Sequence, residues 1–259
     1  MWSPRFKGRR RFDRSKVSGY RIPTTTPSRR YKSQGFSRGG VSRSLTYERV
    51  ERPLGYKCLM ERHHGDAFAL TSNCDTTSFI SYPVRALSGE GRSRDYIKLL
   101  SIRASGVINV KGLVKHDAME RSTNFSGVFV MALVMDMKPY LPEGSNQLPS
   151  FVELFGPYSS AYVTLRLLDN QTSRFRILTS VSKMVYTQDD SRVLQFKCYR
   201  RFTHSRYPIW ASFYDHDIGN SGGNYRNISR NAVLVSYAFV SEQSMSCVPF
   251  VQLETRYIG

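Results

Sequence analysis

Positive charge is piled at one end of this chain, and that restricts where a fold can be built. Residues 1–57 hold 16 Lys or Arg against three acids. The other 202 residues hold 22 against 17, so the formal charge of +18 divides into +13 and +5. Arg9-Arg10-Arg11 and Arg29-Arg30-Tyr31-Lys32 form clusters, with Arg14 beside the first. Among them stand Phe6, Phe12, Tyr20 and Phe36, and the segment is punctuated by Pro23, Pro27, Gly35, Gly39 and Gly40. Self-repulsion and the shortage of aliphatic residues leave nothing to pack, so a disordered arm is expected over 1–57. Guanidinium forks fit phosphates and free rings stack on bases. The partner such an arm calls for is a polyanion, nucleic acid above all, bound without sequence readout and with steep salt dependence. The same short Arg/Lys runs suit nuclear import receptors.

The fold must then come from the remainder. A transitional stretch over 58–74 alternates acid and base, as in Glu61-Arg62, and reads as hydrated surface. From 75 to 259 the pattern is one of short strands: Phe79–Tyr82, Tyr96–Leu100, Ile102–Leu113, Phe125–Met135, Tyr162–Leu168, Phe175–Tyr186, Val193–Tyr199, Pro208–Tyr214, Ala232–Val240 and Val248–Tyr257. Period-two alternation in Val193-Leu194-Gln195-Phe196-Lys197-Cys198 gives a strand with one wet and one buried face. Pro- and Gly-rich segments at 136–145 and 215–224 supply turns. One short helix is expected, Phe151–Phe155, capped by Ser150 with Glu153 at the capping-box position and stopped by Gly156-Pro157. Many strands and little helix mean an all-β body, a sandwich, jelly roll or barrel.

Chemistry-bearing groups are sparse. Cys58, Cys74, Cys198 and Cys247 are scattered. Residues 1–20 lack an apolar core and no run approaches a membrane span, so a reducing compartment and free thiols are expected. Cys58, His63, His64 and Cys74 are zinc-type ligands without compact-finger spacing, and the simpler reading is free thiols and surface histidines. Asp215-His216-Asp217 contains groups that bind metal in nucleases, but reads more simply as a loop entry. No cofactor, metal or catalytic site is expected, and the Gly219–Gly223 run lacks the lysine of a phosphate-binding loop. A second basic segment, Arg92, Arg94 and Lys98, lies in a loop before a strand, where it extends a nucleic-acid surface, serves import or is simply solvated. Ile177, Leu178, Val181, Met184, Val185 and, further on, Leu194 supply spaced apolar anchors of the kind an export receptor groove accepts; the competing reading makes them core.

Taken in order, the arm, Phe79-Ile80-Ser81-Tyr82-Pro83, Arg92-Ser93-Arg94-Asp95-Tyr96-Ile97-Lys98-Leu99, Glu153-Leu154-Phe155-Gly156, Trp210–Asp215, Asn227–Val235 and Tyr257-Ile258-Gly259 resemble the nuclear shuttle proteins of bipartite begomoviruses, plant geminiviruses. The resemblance spans essentially the whole chain. It implies a jelly-roll-like β-sandwich related to the geminivirus coat protein. It implies a non-enzymatic factor that binds viral single- and double-stranded DNA, shuttles between host nucleus and cytoplasm, and hands DNA to the viral movement protein at the cytoplasmic side of the plasma membrane. Host importin and exportin, a receptor-like kinase and an acetyltransferase are implied partners, with homo-oligomers an added expectation. DNA contact and import would fall on Arg9, Arg10, Arg11, Arg29, Arg30, Lys32, Arg92, Arg94 and Lys98, with Arg14 a further DNA contact, and export on Ile177–Leu194. The alternative is a jelly-roll capsid protein that packages single-stranded DNA, distinguished by assembly into shells.

Overall fold

The computed structural model describes residues 55–86, 91–113, 124–142, 145–187, 191–202, 208–215 and 222–259. The arm residues Arg9, Arg10, Arg11, Arg14, Arg29, Arg30 and Lys32 lie outside them, as do His216 and Asp217. The strands are β1 (Lys57–His63), β2 (Leu70–Thr71), β3 (Cys74–Phe79), β4 (Tyr96–Gly112), β5 (Phe125–Asp136), β6 (Phe175–Thr187), β7 (Ser191–Arg201), β8 (Ile209–Phe213), β9 (Ile228–Arg230), β10 (Ala232–Val240) and β11 (Met245–Ile258); the helix α1 is Phe151–Phe155. They form two antiparallel sheets. The larger runs β1-β11-β4-β8-β9, with β2 also on β11 and β7 also on β4; the smaller runs β3-β10-β5-β6. This is a β-sandwich, because the apolar faces of both sheets share one core, in which Phe129 of β5 meets Phe196 of β7 with ring centroids 5.6 Å apart.

β4 is one long strand rather than the two expected. Tyr257 pairs with Leu99 and Arg256 with Ser101, so Leu100 is an extra residue in β4. Such a bulge adds twist without ending the strand. It marks the hand-over of β4 from β8, paired at Tyr96–Leu99, to β7, paired from Ser101 onward. The stretch read as transitional also belongs to the body: β1 pairs with β11 from Lys57↔Tyr257 to His63↔Val251. Its acid–base alternation is that of an edge strand with Cys58, Met60 and Arg62 exposed and His63 buried.

The two sheets differ in what covers them. Every residue of β10 is buried, and β5 is buried from Gly127 onward. The segment after β5 closes the outer side of the smaller sheet, packing Phe151, Leu154, Phe155, Ala161 and Leu165 onto the core. The helix is as expected, with the Ser150 side chain accepting from the Glu153 amide and Glu153 from the Ser150 amide. Asp75 of β3 anchors it by accepting from the Phe151 amide (2.8 Å) and the Tyr158 hydroxyl (2.6 Å). Residues 162–168, read as a strand, form no ladder. Only Leu165 is buried and Leu167 half-buried, while Tyr162, Val163 and Leu168 are exposed; Val163 N–H bonds Ser160 O and Leu168 N–H bonds Leu154 O, so these two amides are satisfied locally.

Candidate nucleic-acid interface

Among the described residues no segment covers the outer face of the larger sheet, and pairing register fixes what it displays. Side chains directly across a ladder share a face. One rung across four strands reads Arg62–Gln252–Ser105–Lys197, and the next Met60–Glu254–Arg103–Tyr199. On the other side comes Phe250–Val107–Gln195, and further along Ser246–Lys111–Ser191. Arg256 and Arg201 extend the basic character at the β-bulge end. Glu254 is the one carboxylate on these rungs, and it is engaged by Arg256 (2.7 Å) and more loosely by Arg103 (3.9 Å). Aromatic rings stand among the cations: Phe250 is 47% and Tyr199 53% exposed. An open groove of about 890 Å³ crosses the middle, lined by Arg62, His64, Ser105, Lys183, Lys197, Phe250 and Gln252 among others. Gly106 in its wall lets two strands approach closely, since a Cβ there would lie 2.1 Å from the Phe250 carbonyl oxygen.

A second exposed cluster sits where β4 meets β8. Lys98 lies opposite Trp210 and Tyr96 opposite Ser212, which in turn pairs with Arg230. Tyr96 and Trp210 make an edge contact at 5.4 Å. The Lys98 ammonium is 5.8 Å from the Trp210 ring centre, and Arg94 reaches the Tyr96 hydroxyl (2.5 Å) while its guanidinium carbon is 5.6 Å from that ring. Cation and ring are thus displayed side by side, an arrangement suited to phosphates and bases.

Arg92 does not join them. Its side chain is fully buried. It grips Asp215 through two hydrogen bonds of 2.5 Å, donates to the carbonyls of Pro83 (3.1 Å) and Arg94 (2.7 Å), and lies 3.7 Å over the Phe213 ring. The expectation that it contacts DNA or an import receptor is therefore corrected: its donors are spent inside the protein. Asp215 is the other half of this pair, at the loop entry the sequence suggested. Arg92 foremost holds its carboxyl below the usual range against the opposing effect of burial, with Asn227 and Arg85 contributing. Asn227 donates to Asp215 Oδ1 (2.9 Å) and the Gly222 carbonyl (2.7 Å), and the Asp215 amide returns a bond to Asn227 (3.0 Å). Asp215 is a structural carboxylate that locks two loops together, and its pairing leaves it no role as a metal ligand. Its partner across the sequence was the signal missed, because nothing in the spacing ties residue 92 to residue 215.

The export candidates lie on strands, not on a helix face. Leu178 and Val185 are buried; Ile177, Val181 and Leu194 are half-buried and packed on the core; Met184 alone is well exposed, at 75%. The bulge in β6, between Ile177 and Thr179, turns Leu178 into the interior. The zinc-type residues do not converge either. Cys58 and His63 occupy opposite faces of β1, and no cluster of three metal-ligating side chains occurs among the described residues. His63 is no surface residue. It is buried, stacked on Phe68 at 4.5 Å, and linked through Nδ1 to the Tyr237 hydroxyl (2.9 Å), with Glu61 3.4 Å from Nε2. Burial pushes the Glu61 carboxyl up, but bonds from His63 and Ser81 outweigh it and hold the group below its usual range. All four cysteines are free thiols; burial raises Cys198 to about 11 and Cys247 to about 12, which keeps both unreactive.

A β-sandwich with one covered sheet and one cation-rich sheet carrying exposed rings is a body with a surface suited to a polyanion. The family model described as "Geminivirus coat protein/nuclear export factor BR1 family" matches residues 9–259, and the chain belongs to that family. A protein named "Nuclear shuttle protein" from African cassava mosaic virus (isolate Nigerian) is 57% identical over 90% of this chain and 91% of its own length. Proteins of the same name from Indian cassava mosaic virus and Squash leaf curl virus are 35% and 29% identical, over 89% and 88% of this chain and 89% and 90% of theirs. Among solved structures, a polyomavirus VP1 in complex with sialylated oligomers aligns at 10% identity and a TM-score of 0.21, covering 80% of this chain and 94% of that one.

Proposed function

We propose that this chain is a non-enzymatic viral nuclear shuttle protein. It binds viral single- and double-stranded DNA without sequence preference, carries it from nucleus to cytoplasm, and passes it to the viral movement protein. The observation that carries this reading is the 57% identity, over nine-tenths of both chains, to a protein of that name. The charge distribution supports it: a +13 segment ahead of a body whose larger sheet stays bare and basic. In this reading the arm residues Arg9, Arg10, Arg11, Arg14, Arg29, Arg30 and Lys32 capture phosphates, and all but Arg14 also serve import. Arg94 and Lys98 add a second patch on the body. The sandwich is a jelly-roll variant, and export receptors meet the β6–β7 region. Peripheral membrane association follows from the movement protein rather than from this chain. The family description also names coat proteins, and a capsid is the second reading.

The test combines DNA binding by the purified full-length chain with a nuclear-export assay on fluorescently tagged protein in plant cells. Salt-sensitive binding to both DNA forms and export-inhibitor-sensitive cytoplasmic accumulation support the shuttle. Shells containing DNA, seen by electron microscopy, would favour the capsid instead.

A further inference from the structure

The groove on the larger sheet differs from the rest of that face in how its charges are used. Arg103 and Arg256 share Glu254, so part of their charge is already answered. Arg62, Lys183 and Lys197, around the groove, form no ion pair with a described carboxylate. They approach it from three strands: Arg62 from β1, Lys197 from β7 and Lys183 from β6 of the smaller sheet. Among the described residues no acidic side chain lines the cavity. Three unanswered cations converging on one concavity create a local field for an anion carrying several oxygens.

The wall between those cations is aromatic. His64 and Phe250 lie nearly parallel, 11° apart, with centroids 6.5 Å from each other. In the core the comparable pair His63–Phe68 is closed to 4.5 Å. The looser pair leaves ring face uncovered, consistent with the exposure of both His64 and Phe250. Gln252 and Ser105 on the adjoining rung add amide and hydroxyl groups able to meet the polar edge of any base. Rings for stacking, cations for phosphates and neutral polar groups that do not discriminate are the requirements for unpaired nucleic acid. A duplex keeps its base faces inside and cannot use the rings.

We propose that this groove is a binding site for an unpaired nucleotide of single-stranded DNA, one base stacking on the Phe250–His64 wall while flanking phosphates meet Arg62, Lys183 and Lys197. The site rests on the DNA-binding reading above and adds to it a preference for single strands located on the folded body.

The test uses the full-length chain, a labelled oligothymidylate and a duplex of equal length, measured by fluorescence anisotropy. F250A is expected to lower single-strand affinity by about fivefold or more, the scale of one lost base stack, with duplex affinity changed by less than about twofold. F250W is expected to restore the single-strand affinity. Equal losses on both DNA forms, or no loss on either, would overturn the groove. Because the arm contributes affinity of its own, a second readout is photo-crosslinking of wild-type protein to an oligothymidylate carrying 5-iododeoxyuridine. Crosslinked peptides containing His64 or Phe250 support the site, and crosslinks confined to the arm overturn it. Wild-type protein that binds neither DNA form defeats the DNA-binding reading itself. Wild-type protein that binds single strands indifferently to Phe250 defeats the groove alone.

Discussion

The outer faces of the two sheets have opposite fates. On the smaller sheet, Val128, Val130 and the whole of β10 lie beneath a lid of irregular chain, so even the side away from the core is dry. On the larger sheet, Arg62, Lys197, Tyr199 and Phe250 stand in solvent. Both sheets contribute side chains to the shared core. Cations and rings stand together where no described segment covers the sheet, a composition that suits contact with a polyanion. The contrast recurs at residue scale: Arg92 and Arg94 are two positions apart, one locked to Asp215 and one displayed beside Tyr96.

The largest effects should come from the covered side. Phe151→Ala removes a fully buried ring of the covering segment, packed against Phe155 and Tyr158, and is expected to cost about 3–5 kcal/mol of unfolding free energy. Phe250→Ala on the bare face should cost under about 1 kcal/mol. Urea unfolding of the pair checks this, and equal losses would erase the distinction between the sheets. Arg92→Ala strands Asp215 beside Asn227 and should also cost about 3–5 kcal/mol. Arg94→Ala should stay within about 0.5 kcal/mol of wild type and weaken binding to all DNA sequences alike.

The β6 residues sharpen the same contrast for export. Leu178→Ala should destabilise by about 2–5 kcal/mol, so lost export in that variant reports unfolding. Met184→Ala should leave stability unchanged, and a loss of export in that variant, scored by cytoplasmic fraction in cells, identifies a true receptor contact. Smaller still is the pH effect at Asp215. Its folded pKa is depressed, so its contribution is complete above the ordinary aspartate value near ~4 and fades as pH falls through the lower folded value. Thermal melts should show an acid-side decline that is weaker in Asp215→Asn. An identical decline in both proteins would place the acid sensitivity elsewhere.

Much of the body was legible. Alternation located most strands, and β10 matched residue for residue because a continuous apolar run bounded by turn residues leaves little choice. Ser150, Glu153 and Gly156 announced the helix, since its caps are local chemistry. Residues 162–168 misled because an apolar pattern fixes neither burial nor backbone pairing: Leu165 is buried, but Tyr162, Val163 and Leu168 are exposed and the Leu168 amide bonds Leu154 instead of a neighbouring strand. β1 was missed since an edge strand needs only a half-buried face, and charges on its open side hid the pattern. The site was less legible. The composition pointed to a polyanion partner, but only the register of β1, β11, β4 and β7 brings Arg62 into line with Lys197, 135 positions away. For the same reason Arg92 looked exposed: its partner is distant in sequence and reached only through the fold.

The central claim is that the bare sheet face binds DNA in its own right. The direct measurement is DNA affinity against salt for the full-length chain with Arg9, Arg10, Arg11, Arg29, Arg30 and Lys32 replaced by alanine, alone and combined with Arg62→Ala and Lys197→Ala. The account predicts weakened but persistent binding without the arm charges, and a slope of log affinity against log salt that shallows by about 0.7–0.9 for each face cation then removed. Binding that disappears with the arm charges, or a slope indifferent to Arg62 and Lys197, would contradict it.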